Sequence, residues 1–178
     1  MSRPADPARV RAFPPILGPR PRILVLGSLP GVASLRAGQY YAHPRNQFWP
    51  IMGALCDAGP QRPYRERLRA LRERGVCVWD VLAEASRPGS ADAAIDAATA
   101  RAHDLAGLLG SRPSIRLVAF NGTTAARLYA RLVGPALMPD RAAALAHVTL
   151  PSTSPAHASL TYAAKLRAWR AALAPLLA

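Results

Sequence analysis

The sequence is poor in acid and almost without lysine. Asp and Glu together number 10 against 23 Lys and Arg, Lys165 is the only lysine, and the formal charge is +13. Such an excess on a folded chain points to a polyanionic partner, and guanidinium groups suit bidentate contacts with phosphate. So few carboxylates supply two-metal hydrolysis poorly. The histidines (His43, His103, His147 and His157) are dispersed, with no HxH or HxxxH pair. Cysteine is limited to Cys56 and Cys77, without a CxxC spacing. That excludes four-cysteine zinc and iron–sulfur sites and argues against a disulfide-stapled scaffold. No apolar run approaches the roughly 20 residues that span a bilayer, and residues 1–21 show no signal-peptide pattern. These absences predict a soluble, cytoplasmic protein with no membrane contact. Three nucleotide and hydrolase signatures are also missing: GK[ST] after a glycine loop, GxGxxG before a helix, and GxSxG.

What is present is a chain of 178 residues, 51% hydrophobic and 19% charged, enough for one domain with a full core. Residues 1–21 are proline-rich and read as an irregular N-terminal arm; residues 22–178 read as a single domain. Short buried strands are expected at 22–27, 76–82, 115–120 and 146–150, where apolar runs are bounded by glycine or polar residues. Helical spacing of apolar residues predicts helices near 47–58, 64–74, 123–133 and 160–173. A further helix is expected through Leu105, Leu108 and Leu109, preceded by an alanine-rich helical stretch. Alternation of this kind implies an α/β fold, a three-layer α/β/α sandwich around a short, mostly parallel four-stranded sheet. Functional groups in such folds gather where loops leave the carboxyl ends of strands. The segments 27–46, 80–90, 121–124 and 151–157 should therefore converge on one cleft.

Each segment carries a bland and a chemical reading. Gly27-Ser28-Leu29-Pro30-Gly31 is a tight turn or a loop pressed against a ligand. The stretch 40–49 holds Tyr40, Tyr41, Phe48 and Trp49 beside His43, Arg45 and Asn46. Rings can stack on an unstacked base, amides read base edges and arginine holds phosphate. Phe48 and Trp49 could equally be core, and Asn46 a helix cap. Asp80 at a strand end could be a catalytic group, a base-edge acceptor or a cap. Asn121-Gly122 is either functional or an ordinary turn. Pro151-Ser152-Thr153-Ser154-Pro155-Ala156-His157 could press hydroxyls and amides against a phosphate strand, or be a rigid turn. The remaining chemistry is work done by amides, backbone groups and one or two ionisable side chains on a nucleic acid.

Five motifs in order, GSLPG (27–31), QYYAHPRNQFWPIM (39–52), VWDVLAEASRPGS (78–90), FNG (120–122) and PSTSPAH (151–157), resemble the uracil-DNA glycosylase superfamily. The resemblance is closest to its hypoxanthine-DNA (deoxyinosine) glycosylase branch and runs from Ile23 to Trp169. It implies a monofunctional, cofactor-free and monomeric enzyme of base excision repair. Its substrate would be double- or single-stranded DNA carrying a deaminated base, cut at the N-glycosidic bond. Many superfamily members carry Asp or Asn after the first glycine; here Ser28-Leu29 stand there, as in the hypoxanthine branch, so hypoxanthine should leave faster than uracil. The resemblance implies Asn46 and Asn121 as catalytic groups; the placement of the loops after the strands suggests Ser28, Tyr40, Tyr41, Phe48 and Asp80 around the base. Arg45, Arg87, Ser152, Ser154 and His157 would hold the DNA. The competing readings are a non-catalytic nucleic-acid-binding α/β domain with an aromatic stacking platform, and a small-molecule transferase.

Overall fold

A computed structural model describes residues 9–178. Along the chain come β1 (Arg9–Arg11), β2 (Ile23–Gly27), α1 (Val32–Ala37), α2 (Phe48–Cys56), α3 (Tyr64–Glu73), β3 (Val76–Asp80) and β4 (Leu82–Ser86). There follow β5 (Arg101–Ala102), α4 (Leu105–Ser111), β6 (Leu117–Asn121), α5 (Thr123–Leu132), α6 (Pro139–Ala143), β7 (Ala146–Leu150) and α7 (Tyr162–Leu173). Strands β3, β2, β6 and β7 lie in that order in a four-stranded sheet whose neighbours are all parallel.

The middle strand shows why three layers form. All five residues of β2 are buried, and successive side chains leave opposite faces of a strand. Ile23 and Val25 join one cluster with Phe48 and Met52 of α2, Leu71 of α3, and Trp169 and Leu173 of α7. Leu24 and Leu26 join the other, with Leu105 and Leu109 of α4 and Ala125 and Tyr129 of α5. Each helix presents its apolar stripe to one face, and the sheet is covered on both sides. Both cysteines lie in this core as free thiols, and burial pushes each up to about 11.

Four expectations are corrected. The strand expected over 76–82 ends at Asp80, and the chain turns into β4, which leaves the parallel sheet. It pairs antiparallel with β1 and β5 in a second, three-stranded sheet over Val10, Leu29, Leu82, Ala85 and Ala100. The arm expected to be irregular contributes β1, and Ile16 bridges Val78; residues 1–8 lie outside the described residues. The loop expected after β2 contains the short helix α1, closed by Gly38. The alanine-rich stretch is not helical beyond the turn Asp92–Ala94, because polar side chains claim its backbone. Asp96 Oδ1 accepts from the Ala98 N–H, and Thr99 Oγ1 donates to the Asp96 carbonyl. Among the described residues no helix is long and apolar enough to cross a membrane.

Candidate active site

In a parallel sheet whose strand order reverses, a crevice opens beyond the carboxyl ends of the strands at the reversal. Here the chain runs from β2 outward to β3, then back across β2 to β6, so the crevice lies over β2 and β6. Register brings Gly27 opposite Asp80 and Asn121 opposite Leu150 at that same edge. A cleft of about 650 Å³ opens there, lined from 27–34, 40–46, Asp80, 90–92, 121–124 and 149–157. All four segments flagged in the sequence reach it, and the volume suits a small-molecule-sized occupant.

Two glycines permit the convergence. A Cβ on Gly27 would lie 2.5 Å from Asp80 Oδ1 and 3.1 Å from the Tyr41 hydroxyl. Gly122 has φ +98°, a conformation that side chains avoid, and a Cβ there would meet Ser152 at 3.1 Å.

The two asparagines expected to be catalytic both line the cleft, and each is oriented by the backbone. Asn121 Oδ1 accepts from the Thr153 N–H and its Nδ2 donates to Thr153 Oγ1, both at 2.9 Å. Thr153 is fully buried, and its carbonyl accepts from the Gln47 N–H at 3.0 Å. Three segments distant in sequence are thus stitched together. Asn46 Oδ1 accepts from the Phe48 N–H at 2.9 Å, so the residue caps the entry to α2. The formal cap position, Gln47, makes no side-chain cap bond. The capping contact uses the oxygen only, and the Asn46 Nδ2 donors remain for the cleft.

The aromatic residues divide sharply. Tyr41 lines the cleft, in the left-handed region at φ 54°, with its ring stacked on Phe48 at 4.1 Å. A non-glycine residue there is strained, and such strain collects at functional positions. Its hydroxyl is buried beside the Asn121 side chain without a hydrogen bond of good geometry; burial first, then Asp80, holds it protonated, and Asn121 pulls the other way by less. Tyr40, expected to face the base, also lines the cleft, but its ring packs edge-on against Phe13 and it is buried. Its hydroxyl donates to the Pro14 carbonyl at 3.1 Å, so turning the ring outward would break both contacts. Phe48 is fully buried and supports Tyr41 from beneath instead of meeting a base itself. Trp49 is core, its indole N–H bonded to the Tyr40 carbonyl. An open stacking platform does not exist in this loop.

Asp80 lines the cleft and is 3% exposed, with Oδ2 unpartnered. Burial pushes its carboxyl up to about 7; Arg87 pulls down and Asp92 pushes up by smaller amounts. Ser28 lines the cleft too, its hydroxyl donating to Asp92 Oδ1 at 2.7 Å. Arg87 does not hold DNA. Its side chain is 0% exposed, and its guanidinium donates to the carbonyls of Leu29, Pro30 and Gly89. It clamps the loop after β2 to the end of β4, which a phosphate in solution cannot reach.

The rim carries the other expected DNA contacts. Ser152, Ser154 and His157 line the cleft, while Arg45 stands exposed beside Asn46. Each serine oxygen accepts from an N–H two residues on, at 3.2 and 3.3 Å, which leaves the hydroxyl hydrogens free to donate. The His157 carbonyl is held by Lys165 Nζ at 2.6 Å. Thr153, Asp92 and Lys165 were missed by sequence reasoning. Lys165 carried a usable signal, as the single lysine in an arginine-rich chain. Among the described residues no cluster of three or more His, Cys, Asp or Glu side chains forms a metal-binding group.

Comparisons with known proteins place the chain by sequence and by fold. The family model described as the uracil DNA glycosylase superfamily matches residues 14–177. The chain is 37% identical over 113 residues to a hypoxanthine DNA glycosylase of Methanosarcina barkeri, covering 63% of this chain and 70% of that one. It is 38% identical over 116 residues to a hypoxanthine DNA glycosylase of Methanosarcina acetivorans, covering 65% and 72%. A solution NMR structure from Methanosarcina acetivorans, provisionally described as a uracil DNA glycosylase, superposes with a TM-score of 0.76 at 32% identity. That match covers 94% of this chain and 98% of the other.

Proposed function

The chain belongs to the uracil DNA glycosylase superfamily, and on that footing we propose that it excises hypoxanthine from deoxyinosine in DNA, leaving an abasic site. Uracil is a slower substrate, and the protein works as a cytoplasmic monomer on duplex or single-stranded DNA. The observation that carries the reading is the pair of backbone-oriented amides, Asn46 and Asn121, in one cleft with the Tyr41–Phe48 stack. Chemistry on a base inside a duplex requires that the base leave the stack and enter a pocket. The volume of the cleft and the single half-exposed ring of Tyr41 suit that occupant.

As the N-glycosidic bond breaks, the sugar acquires oxocarbenium character and negative charge develops on the departing base. Amide donors already fixed in place stabilise that charge without reorganising, each worth on the order of 3 kcal/mol by analogy with oxyanion-hole donors. Asn121 is rigid through Thr153, and Asn46 through the first turn of α2. Water supplies the hydroxyl that completes hydrolysis at the sugar carbon. The rim hydroxyls of Ser152 and Ser154, with Arg45 and His157, take the phosphates on either side.

The stacking-platform alternative loses its main support, because Tyr40, Phe48 and Trp49 are buried. Single-turnover assays on oligonucleotides carrying one deoxyinosine or one deoxyuridine, in EDTA, test the reading. Alkali-labile strands are expected from deoxyinosine first and from deoxyuridine more slowly. Equal binding of modified and unmodified DNA with no abasic site would return the protein to the class of binding domains.

A further inference from the structure

The cleft contains one acidic group whose surroundings do not suit a charge. Asp80 is 3% exposed and ends β3 opposite Gly27. Its Oδ1 occupies the space that a side chain on residue 27 would need, and its Oδ2 is buried with no hydrogen-bond partner. The groups that face it come from three directions. From the end of β4, Arg87 is the nearby cation; its guanidinium donates to three loop carbonyls, faces Asp92 at 3.9 Å and makes no hydrogen bond to Asp80. From the turn after it, Asp92 adds a like charge. From the aromatic loop, the hydroxyls of Tyr40 and Tyr41 are held protonated in part by Asp80 itself. The Tyr40 hydroxyl is turned away to the Pro14 carbonyl, and that of Tyr41 lies beside the Asn121 side chain with no hydrogen bond to Asp80.

An ionised carboxylate here would be buried with no donor on Oδ2 and with a second carboxylate near, an arrangement that burial disfavours more than Arg87 offsets. A neutral carboxylic acid needs only one acceptor. Proteins use apolar sites to keep an acid neutral at pH 7 so that it can donate a hydrogen bond to a developing anion. The carboxyl of Asp80 sits close to that condition, pushed up to about 7 by burial.

We propose that Asp80 works as a neutral carboxylic acid, donating a hydrogen bond from Oδ2 to the carbonyl oxygen of the flipped base. The inference rests on the glycosylase reading above and adds a role that the two asparagines do not supply. No proton is transferred; the hydrogen bond strengthens as charge collects on the base oxygen while the glycosidic bond lengthens. The partner it suits is a deaminated base. At the 6-position hypoxanthine offers an oxygen, where adenine offers an amino group that is itself a donor.

Two measurements on the full chain test this. In the free protein, the 13C carboxyl resonance of Asp80, assigned with Asp80→Asn, is expected to titrate near pH 7. A midpoint in the ordinary range of aspartates, about 4, would overturn the proposal. In single-turnover excision from deoxyinosine DNA, the wild-type rate is expected to fall above pH 7, by roughly tenfold per pH unit. Asp80→Asn, whose amide donates at every pH, starts lower at pH 6 and holds its rate to pH 9, so the two profiles cross. Asp80→Ala is slow throughout. A wild-type rate that rises with pH and vanishes in Asp80→Asn would make the group a base toward water and overturn the assignment. Variants with unchanged profiles would remove Asp80 from contact with the base. A wild-type protein that releases no base from any modified DNA sinks the glycosylase reading and this one together. Excision with the wrong pH profile sinks this one alone.

Discussion

Asn46 does two jobs with two ends of one amide, and a pair of substitutions separates them. Its oxygen caps α2 through the Phe48 N–H at 2.9 Å, a contact whose loss costs about 1 kcal/mol. In a chain of this size that is a fall in Tm of roughly 2–4 °C. The Nδ2 donors have no partner among the described residues and line the cleft; a donor serving the transition state is worth about 3 kcal/mol, or a hundredfold in rate. Asn46→Ala removes both ends, so a lower Tm and a hundredfold slower single-turnover excision are expected together. Asn46→Asp keeps an oxygen for the Phe48 N–H and adds negative charge at the start of a helix, where it is favourable. It is expected to melt at or above the wild-type temperature and still excise at least a hundredfold more slowly. Thermal melting beside single-turnover rates at saturating enzyme makes the comparison. An Asn46→Asp protein with near-normal excision would refute the catalytic role and leave the residue a helix cap.

Two further pairs follow from the corrected positions. Arg87→Ala should destabilise the fold by about 3 kcal/mol, because three carbonyls lose a charged donor inside the protein, and should leave the salt dependence of DNA binding unchanged. Arg45→Ala should do the reverse: an unchanged Tm, with the log–log salt slope reduced by about one. A slope altered by Arg87→Ala would return that side chain to the DNA. Tyr41→Leu should slow excision ten- to a hundredfold through lost stacking, about 1–3 kcal/mol. Tyr40→Phe should cost only about 1 kcal/mol of stability through its bond to Pro14, seen in melting with the excision rate intact. A rate loss confined to Tyr40→Phe would reverse the assignment of the two rings.

The sheet was legible because its strands are buried on both faces. Runs such as Ile23-Leu24-Val25-Leu26 announce themselves without alternation, and glycine or polar residues mark their ends. The second sheet was not. β4, Leu82 to Ser86, carries Glu84 and Ser86, and only Leu82 and Ala85 are buried. Its pairing partners, β1 and β5, are three and two residues long. Strands so short and half-polar have no periodic signal, and only tertiary pairing defines them. The alanine-rich stretch failed for the opposite reason. Its helix propensity is high, but Asp96 and Thr99 offered its backbone local partners, and those won.

Within the cleft, strand topology brought the right segments together, while side-chain type alone did not say which way each one faced. Asparagine just before a helix could cap or catalyse, and Asn46 shows that the alternatives were never exclusive. Arginine is the instructive failure. A long cation in a polar, Gly/Pro-rich segment reads as a phosphate ligand, yet Arg87 is turned inward by three carbonyls that only the folded loop after β2 presents. Those carbonyls, with Asp92 at 3.9 Å, hold the guanidinium where it makes no hydrogen bond to Asp80. The residue that looked like a DNA contact therefore acts on the site from behind. By holding Gly27–Gly31 in place it leaves Asp80 Oδ2 buried without a partner at the wall of the cleft.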